Sequence, residues 1–94
     1  MSASQYVNAH PVTPSEFKGP GPISQSRLRF AAAQYMMTLG PLLDNERQAM
    51  VYALVCLRPG ENYHYYQQNA WPSPSGQVYG ELEVLAKRKL IWYS

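Results

Sequence analysis

Apolar positions recur with a helical period in three stretches of the chain and then give way to a strand pattern. In the first, Leu28, Ala32, Tyr35, Met36 and Leu39 share one stripe, while Arg27, Gln34 and Thr38 fall off it. Ser24 or Ser26 can cap this helix, and Gly40 followed by Pro41 ends it. In the second, Met50, Val51 and Ala53 through Leu57 cover almost the whole circumference, which predicts a central core helix from Asn45 to about Leu57, with Asp44 as its cap and Glu46 complementing the dipole. Arg58-Pro59-Gly60 stops it. Residues 61–70 are rich in tyrosine, which suits a strand, and in glutamine, which permits a helix; a short helix is expected because the next element needs a supporting partner. Trp71-Pro72-Ser73-Pro74 reads as a turn with a helix start signal at Ser73 and Pro74. The third stretch, residues 75–88, places Val78, Leu82 and Leu85 on one face and runs into Leu90-Ile91-Trp92-Tyr93, which has strand propensity and no helical stripe.

Residues 1–23 differ from the rest. Pro11, Pro14, Pro20 and Pro22, with Gly19 and Gly21, remove donors and favour extended backbone, so a Pro-rich N-terminal arm is expected to precede a domain at 24–94. Tyr6, Val7, Phe17 and Ile23 give that arm the means to dock on the body. Ninety-four residues with 46% apolar content suffice for one folded core and leave no room for a second. A net charge of +2 is far from the balance of a protein held to nucleic acid mainly through phosphates, so any nucleic-acid reading has to rest on local geometry. With Cys56 as the single cysteine there is no internal disulfide and no cysteine-based zinc site, and no apolar run reaches the length of a bilayer span. The expectation is a soluble, cytoplasmic or nucleoid-associated protein with no membrane partner.

An amphipathic helix that seats itself on a core and then turns into a strand is how a winged helix-turn-helix domain presents its recognition helix. The expected fold class is therefore mainly α with a short β element: a winged helix-turn-helix-like domain with an extra N-terminal helix. Specific residues carry a family resemblance. The run Gly76-x-Val78-Tyr79-x-x-Leu82-x-x-Leu85, closing on Leu90-Ile91, resembles the third helix and first wing strand of PadR-like winged-helix regulators. Upstream, Met50-Val51-Tyr52-Ala53-Leu54 to Leu57, then Pro59-Gly60 and Tyr63 to Tyr66, resembles that family's first helix and aromatic second helix, so the likeness spans residues 46–93. It implies a DNA-binding transcriptional regulator. The chain departs from the family in having Lys89 at the exit glycine, and in ending at Ser94 where a wing hairpin would return and the C-terminal dimerisation helices would follow. A second wing strand must come from elsewhere or be missing, and the helix at 25–39 is the candidate for replacing the dimerisation element.

The candidate double-stranded DNA contacts follow from the start of the last helix, where unpaired N–H groups and the positive dipole end suit phosphates and groove entry. Ser73, Ser75, Gln77 and Tyr79 lie there, with Gln77 able to pair with an adenine edge, and Lys87, Arg88 and Lys89 form a second anchor. Glu81 and Glu83 oppose them. Tyr79 reads equally as a half-buried core tyrosine, and the three basic residues also suit a solvated helix end. A homodimer through Leu28, Tyr35, Met36 and Leu39 is expected. Catalytic residues, cofactors and metals are not: His10, His64 and Cys56 make neither a metal site nor a Cys-His pair, and Gly76 and Gly80 do not form a phosphate loop. The competing function class is a non-enzymatic protein-interaction module, in which the same body shows Tyr, Trp and Met surfaces to another protein.

Overall fold

The computed structural model describes residues 6–9, 24–70 and 78–93. In chain order these form β1 (Tyr6–Ala9), α1 (Gln25–Leu39), a 3-10 turn at Gly40–Leu42, α2 (Glu46–Leu57), β2 (Glu61–Asn62), α3 (Tyr63–Asn69), α4 (Val78–Lys87) and β3 (Ile91–Tyr93). The architecture is mostly helical with a small antiparallel sheet.

Helix α2 organises the packing because it has no polar face: every residue from Gln48 to Leu57 is buried. Leu28, Ala31, Ala32 and Tyr35 of α1 and Val78, Leu82 and Leu85 of α4 join it in one continuous core. Tyr35 meets Tyr52 edge to face, with ring centroids 5.1 Å apart. Both ends of the helical framework follow from capping chemistry. Ser24 Oγ accepts from the Arg27 amide at 3.3 Å, and Gly40 takes φ 57° where α1 stops. The cap of α2 is Asn45, whose Oδ1 accepts from the Gln48 amide at 2.9 Å, rather than the expected Asp44. Asp44 lies one residue too early, and its carboxylate is engaged elsewhere.

The sheet takes in part of the N-terminal segment, at two of the residues, Tyr6 and Val7, that give it the means to dock. Its order is β2-β1-β3, so the strand from the Pro-rich region is the central one. Val7 stands opposite Glu61 on one side and Tyr93 on the other, and Ala9 opposite Ile91. Val7 is fully buried, which makes Tyr6–Ala9 part of the domain rather than of an appended arm. The Val7 carbonyl accepts from the Gly60 amide at 2.8 Å. Gly60 sits at φ 85°, a backbone region that side chains rarely tolerate, and the turn Arg58-Pro59-Gly60 thus delivers its N–H to the sheet. The buried Tyr66 hydroxyl closes the arrangement: it donates to the Arg58 carbonyl at 2.6 Å, lies 3.3 Å from the Val7 carbonyl and accepts from the Glu61 amide at 3.3 Å. Its burial, more than its neighbours, pushes the phenol well above its ordinary range. The segment 61–70 resolves into the two-residue β2 and helix α3, which starts where Asn62 Oδ1 accepts from the Tyr65 amide at 3.3 Å.

The far end of α4 is anchored by Arg88. Its guanidinium pairs with Asp44 in a fork, at 2.9 Å and 3.1 Å, and donates to the Leu42 carbonyl at 2.9 Å and to Gln48 Oε1 at 3.2 Å. Gln48 Oε1 also accepts from the Asp44 amide, so the turn before α2 and the end of α4 share one polar cluster. Beyond Arg88 the helix closes with amide bonds from Lys89 to the Ala86 carbonyl and from Leu90 to the Leu85 carbonyl, both 3.0 Å. This is a Schellman arrangement, and Lys89 occupies its left-handed position at φ 61°, where glycine is favoured.

Two outcomes follow from this packing. Leu54 is 1% exposed, so Leu54→Ala should cost on the order of 2–5 kcal/mol in urea unfolding; a loss below about 1 kcal/mol would remove α2 from the centre. Burial also pushes the Cys56 thiol from 9.0 up to about 11, against hydrogen bonds to Tyr52 and Tyr35 that pull the other way. A raised pKa means that the folded state keeps a proton that the unfolded chain has already released. The stability this contributes, roughly 2–3 kcal/mol, is therefore whole below pH 9 and lost as pH rises from 9 to about 11. Urea unfolding across that window should show the decline, and Cys56→Ala should remove it between pH 9 and 10, since the raised phenols of Tyr52 and Tyr66, whose ordinary value is 10.0, add their own loss above that; an equal decline in both proteins between pH 9 and 10 would acquit the thiol.

Candidate nucleic-acid interface

Seating Val78, Leu82 and Leu85 on the core leaves Tyr79, Gly80, Glu83 and Lys87 along the outside of α4. Tyr79, Glu83 and Lys87 are one turn apart and make a continuous ridge. Tyr79 is 37% exposed, and its ring packs edge on to Tyr63 with centroids 6.2 Å apart. Tyr63 in turn lies against His64, centroids 4.2 Å apart. The Tyr79 hydroxyl donates to the Glu83 carboxylate, and this bond, more than burial, raises its pKa. Tyr79 is thus a surface residue held in place by α3 and by its own helix, not a core tyrosine. Beside the ridge, Lys89 is exposed and Trp92 of β3 is 41% exposed, pointing away from the face that buries Ile91.

The basic anchor expected at 87–89 is divided. Lys87 and Lys89 face solvent, whereas Arg88 is committed to Asp44, Gln48 and the Leu42 carbonyl. Arg88 therefore holds the fold, with its charge matched by Asp44, unlike the two lysines beside it. Ser73, Ser75 and Gln77 lie outside the described residues. At the start of α4 the Val78 amide is satisfied by Gln67 Oε1 of α3 at 3.1 Å, so one of the N–H groups expected to meet phosphate is already occupied.

Negative charge is distributed along the same helix. Glu83 lies on the ridge, and Glu81 is partly covered; burial raises its pKa, opposed by Arg47, and its Oε2 lacks a hydrogen-bond partner among the described residues. The ridge therefore carries an aromatic start, an acidic middle and a lysine end. Such a surface can take a groove only with its lysine end and wing-side residues supplying the attraction, because Glu83 repels phosphate.

The expected dimer surface also changes. Leu28 is fully buried and Tyr35 is 5% exposed, both inside the chain's own core, while Met36 and Leu39 pack partly against it. A side chain already covered by α2 has no area left for a second molecule, so Leu28 and Tyr35 cannot form an interface. The large apolar groups that α1 leaves outside are Phe30 and Met37, which the stripe reading overlooked. His64 is exposed and was not singled out as a surface group, while the exposed Trp92 is one of the aromatic side chains available to the expected Tyr, Trp and Met surface; the alternation of strand side chains beside the apolar Ile91 was its signal.

Among the described residues no three His, Cys, Asp or Glu side chains converge as metal ligands, and no helix is long and apolar enough to cross a membrane. No family model matches the chain, and neither the curated proteins nor the solved structures yield a match.

Proposed function

We propose that this chain is a small winged-helix DNA-binding regulator, of the kind the PadR-like resemblance implies, in which α4 is the recognition helix and β1 stands in for the returning wing strand. The observation that carries the reading is the sheet order. A winged helix needs a strand after its first core helix, a helix pair, and then two strands that close the sheet. Here α2, β2, α3, α4 and β3 follow in that order, and the strand lacking after β3 is supplied by Tyr6–Ala9, antiparallel to both neighbours. Lys87 and Lys89 at the carboxyl end of α4, with Trp92 on β3, supply cationic and aromatic contact beside the ridge.

A second reading has its own support. Glu83 on the ridge, the internal neutralisation of Arg88 by Asp44 and the exposed Tyr79 suit a protein partner better than a phosphate backbone. In that case the same helix presents its aromatic start to another polypeptide.

The two readings separate in a titration of random and selected duplexes at low and moderate salt. For a groove reader, Lys87→Ala should weaken binding to all sequences about equally and reduce the salt slope by about one, while Gln77→Ala should relax sequence preference. Lys89→Gly should lower affinity in the same way without loss of stability, since glycine fits the left-handed position. Arg88→Ala should instead act on folding, by about 1 kcal/mol, because its pair with Asp44 is partly exposed. Salt-independent or absent duplex binding by the wild-type protein would discard the DNA reading in favour of a protein partner.

A further inference from the structure

We infer that the corner between the start of α3 and the start of α4, made by Tyr63, Tyr79 and Glu83 and backed by Tyr93, is a binding site for a methylated ammonium cation. Three elements meet there. Tyr63 is the first residue of α3, Tyr79 and Glu83 stand one turn apart on α4, and Tyr93 ends β3. The Tyr63 and Tyr79 rings lie 6.2 Å apart at 80°, so their planes make two walls of a corner rather than a closed stack. His64 lies against the Tyr63 ring, centroids 4.2 Å apart, and steadies it. The Tyr79 hydroxyl donates to the Glu83 carboxylate, which holds that charge beside the ring. Glu83 and Tyr79 also act on the Tyr93 phenol, which burial first and these neighbours after it push up to about 12. The Tyr93 hydroxyl is buried and has no hydrogen-bond partner among the described residues, so it does not draw on the carboxylate.

The groups gathered there are of one electrostatic kind. Aromatic faces are the negative side of the ring quadrupole, and Glu83 brings a full charge. Lys87, one turn further along α4, makes no ion pair with Glu83; the ion pair found among the described residues joins Arg88 to Asp44. The class of cation follows from what the corner offers. A guanidinium asks a carboxylate for two parallel bonds, and the Tyr79 hydroxyl already occupies part of that acceptor. A metal ion asks for several converging ligands, and no three His, Cys, Asp or Glu side chains converge among the described residues. A methylated ammonium needs no acceptor for its methyl groups and is held by ring faces with a carboxylate nearby. The approach is open: Tyr79 is 37% exposed, and at Gly80 beside it an added side-chain carbon would meet nothing within 4 Å.

Two ring walls and a partly solvated carboxylate make a shallow site, with a dissociation constant on the order of 0.1–1 mM. The exposed Lys87 repels the ligand from the next turn and lowers the affinity. The site does not rest on the DNA reading, because Lys87 attracts a duplex and opposes this cation. Lys87→Ala therefore moves the two affinities in opposite directions, and failure of either reading leaves the other measurable.

Titration of the full chain with tetramethylammonium chloride, followed by the ring-proton resonances of the tyrosines and matched with sodium chloride at each ionic strength, reads the site. Saturable shifts at Tyr63 and Tyr79 are expected with tetramethylammonium and not with sodium. Tyr79→Leu and Glu83→Gln, both on the outer ridge, should each raise the dissociation constant by at least about fivefold, while Tyr79→Phe, which keeps the ring, should stay within about twofold of the wild type and Lys87→Ala should lower the constant by about twofold. Melting curves identify any variant that acts through folding, and Glu83→Gln removes the charge without removing packing. A second arm uses a short peptide with one trimethylated lysine beside the same peptide with unmodified lysine. Tighter binding by the trimethylated peptide than by tetramethylammonium names a polypeptide side chain as the source, and equal or weaker binding names a free small cation; both keep the site. The site is overturned if neither probe gives saturable shifts beyond the sodium control, if the unmodified peptide binds as well as the trimethylated one, or if folded Tyr79→Leu and Glu83→Gln bind as the wild type does.

Discussion

The Tyr66 hydroxyl is the point at which the helical and sheet parts of this protein are joined. A phenol in a fully apolar setting has to find partners, and the groups within its reach are the carbonyl that ends α2, the carbonyl of Val7 in the central strand and the amide that opens β2. Satisfying one buried side chain thus fixes the turn between α2 and β2, from Arg58 to Glu61, against Val7, which is distant from it in sequence. Gly60 adds the second tie to Val7, and only a glycine accommodates that turn without strain. Because β2 and β3 both pair with β1 and not with each other, the placement of Val7 decides whether there is a sheet at all.

On the other side of the molecule, α2 divides its surroundings between α1 and α4. Ten consecutive buried residues leave it no solvent face, so the helices that cover it must each give up an apolar stripe. For α4 this fixes which residues remain outside: a ridge with an aromatic start and a lysine end, held at its carboxyl end by the Arg88 cluster. Asp44, Gln48 and Arg88 come from the two ends of this packing, and a buried glutamine is tolerated there because its oxygen accepts from both neighbours.

Helical periodicity made much of this legible. The stripes of α1, α2 and α4, the caps at Ser24 and Gly40 and the stop at Arg58-Pro59-Gly60 are local signals, and local signals survive folding. What escaped was long-range. Tyr-Val-Asn-Ala is too short to advertise a strand, and its partners lie at 61–62 and 91–93, beyond the reach of any sequence window. Leu28 and Tyr35 were correctly read as a packing stripe, but a stripe does not say whether the surface it meets belongs to the same molecule. Arg88 carried an overlooked cue: it lies three residues after Leu85, on the inward side of α4, while Lys87 does not. Asn45 caps in place of Asp44 because Asp44 lies one residue too early, and its carboxylate pairs with that same arginine.

The central position of β1 also has a consequence for the order in which the molecule assembles. Val7 pairs with Tyr93, nearly the whole chain away, so the sheet is the most non-local feature of an otherwise locally connected helical protein. Residues 6–9 precede both of their strand neighbours, and β3 is the later of the two in chain order. The helices can collapse on α2 before the sheet closes, through contacts of short loop length. Until β3 arrives, Val7 lacks one strand neighbour and the sheet edge stands open. Contact order makes the insertion of residues 6–9 between β2 and β3 the expected slow step in reaching the native state.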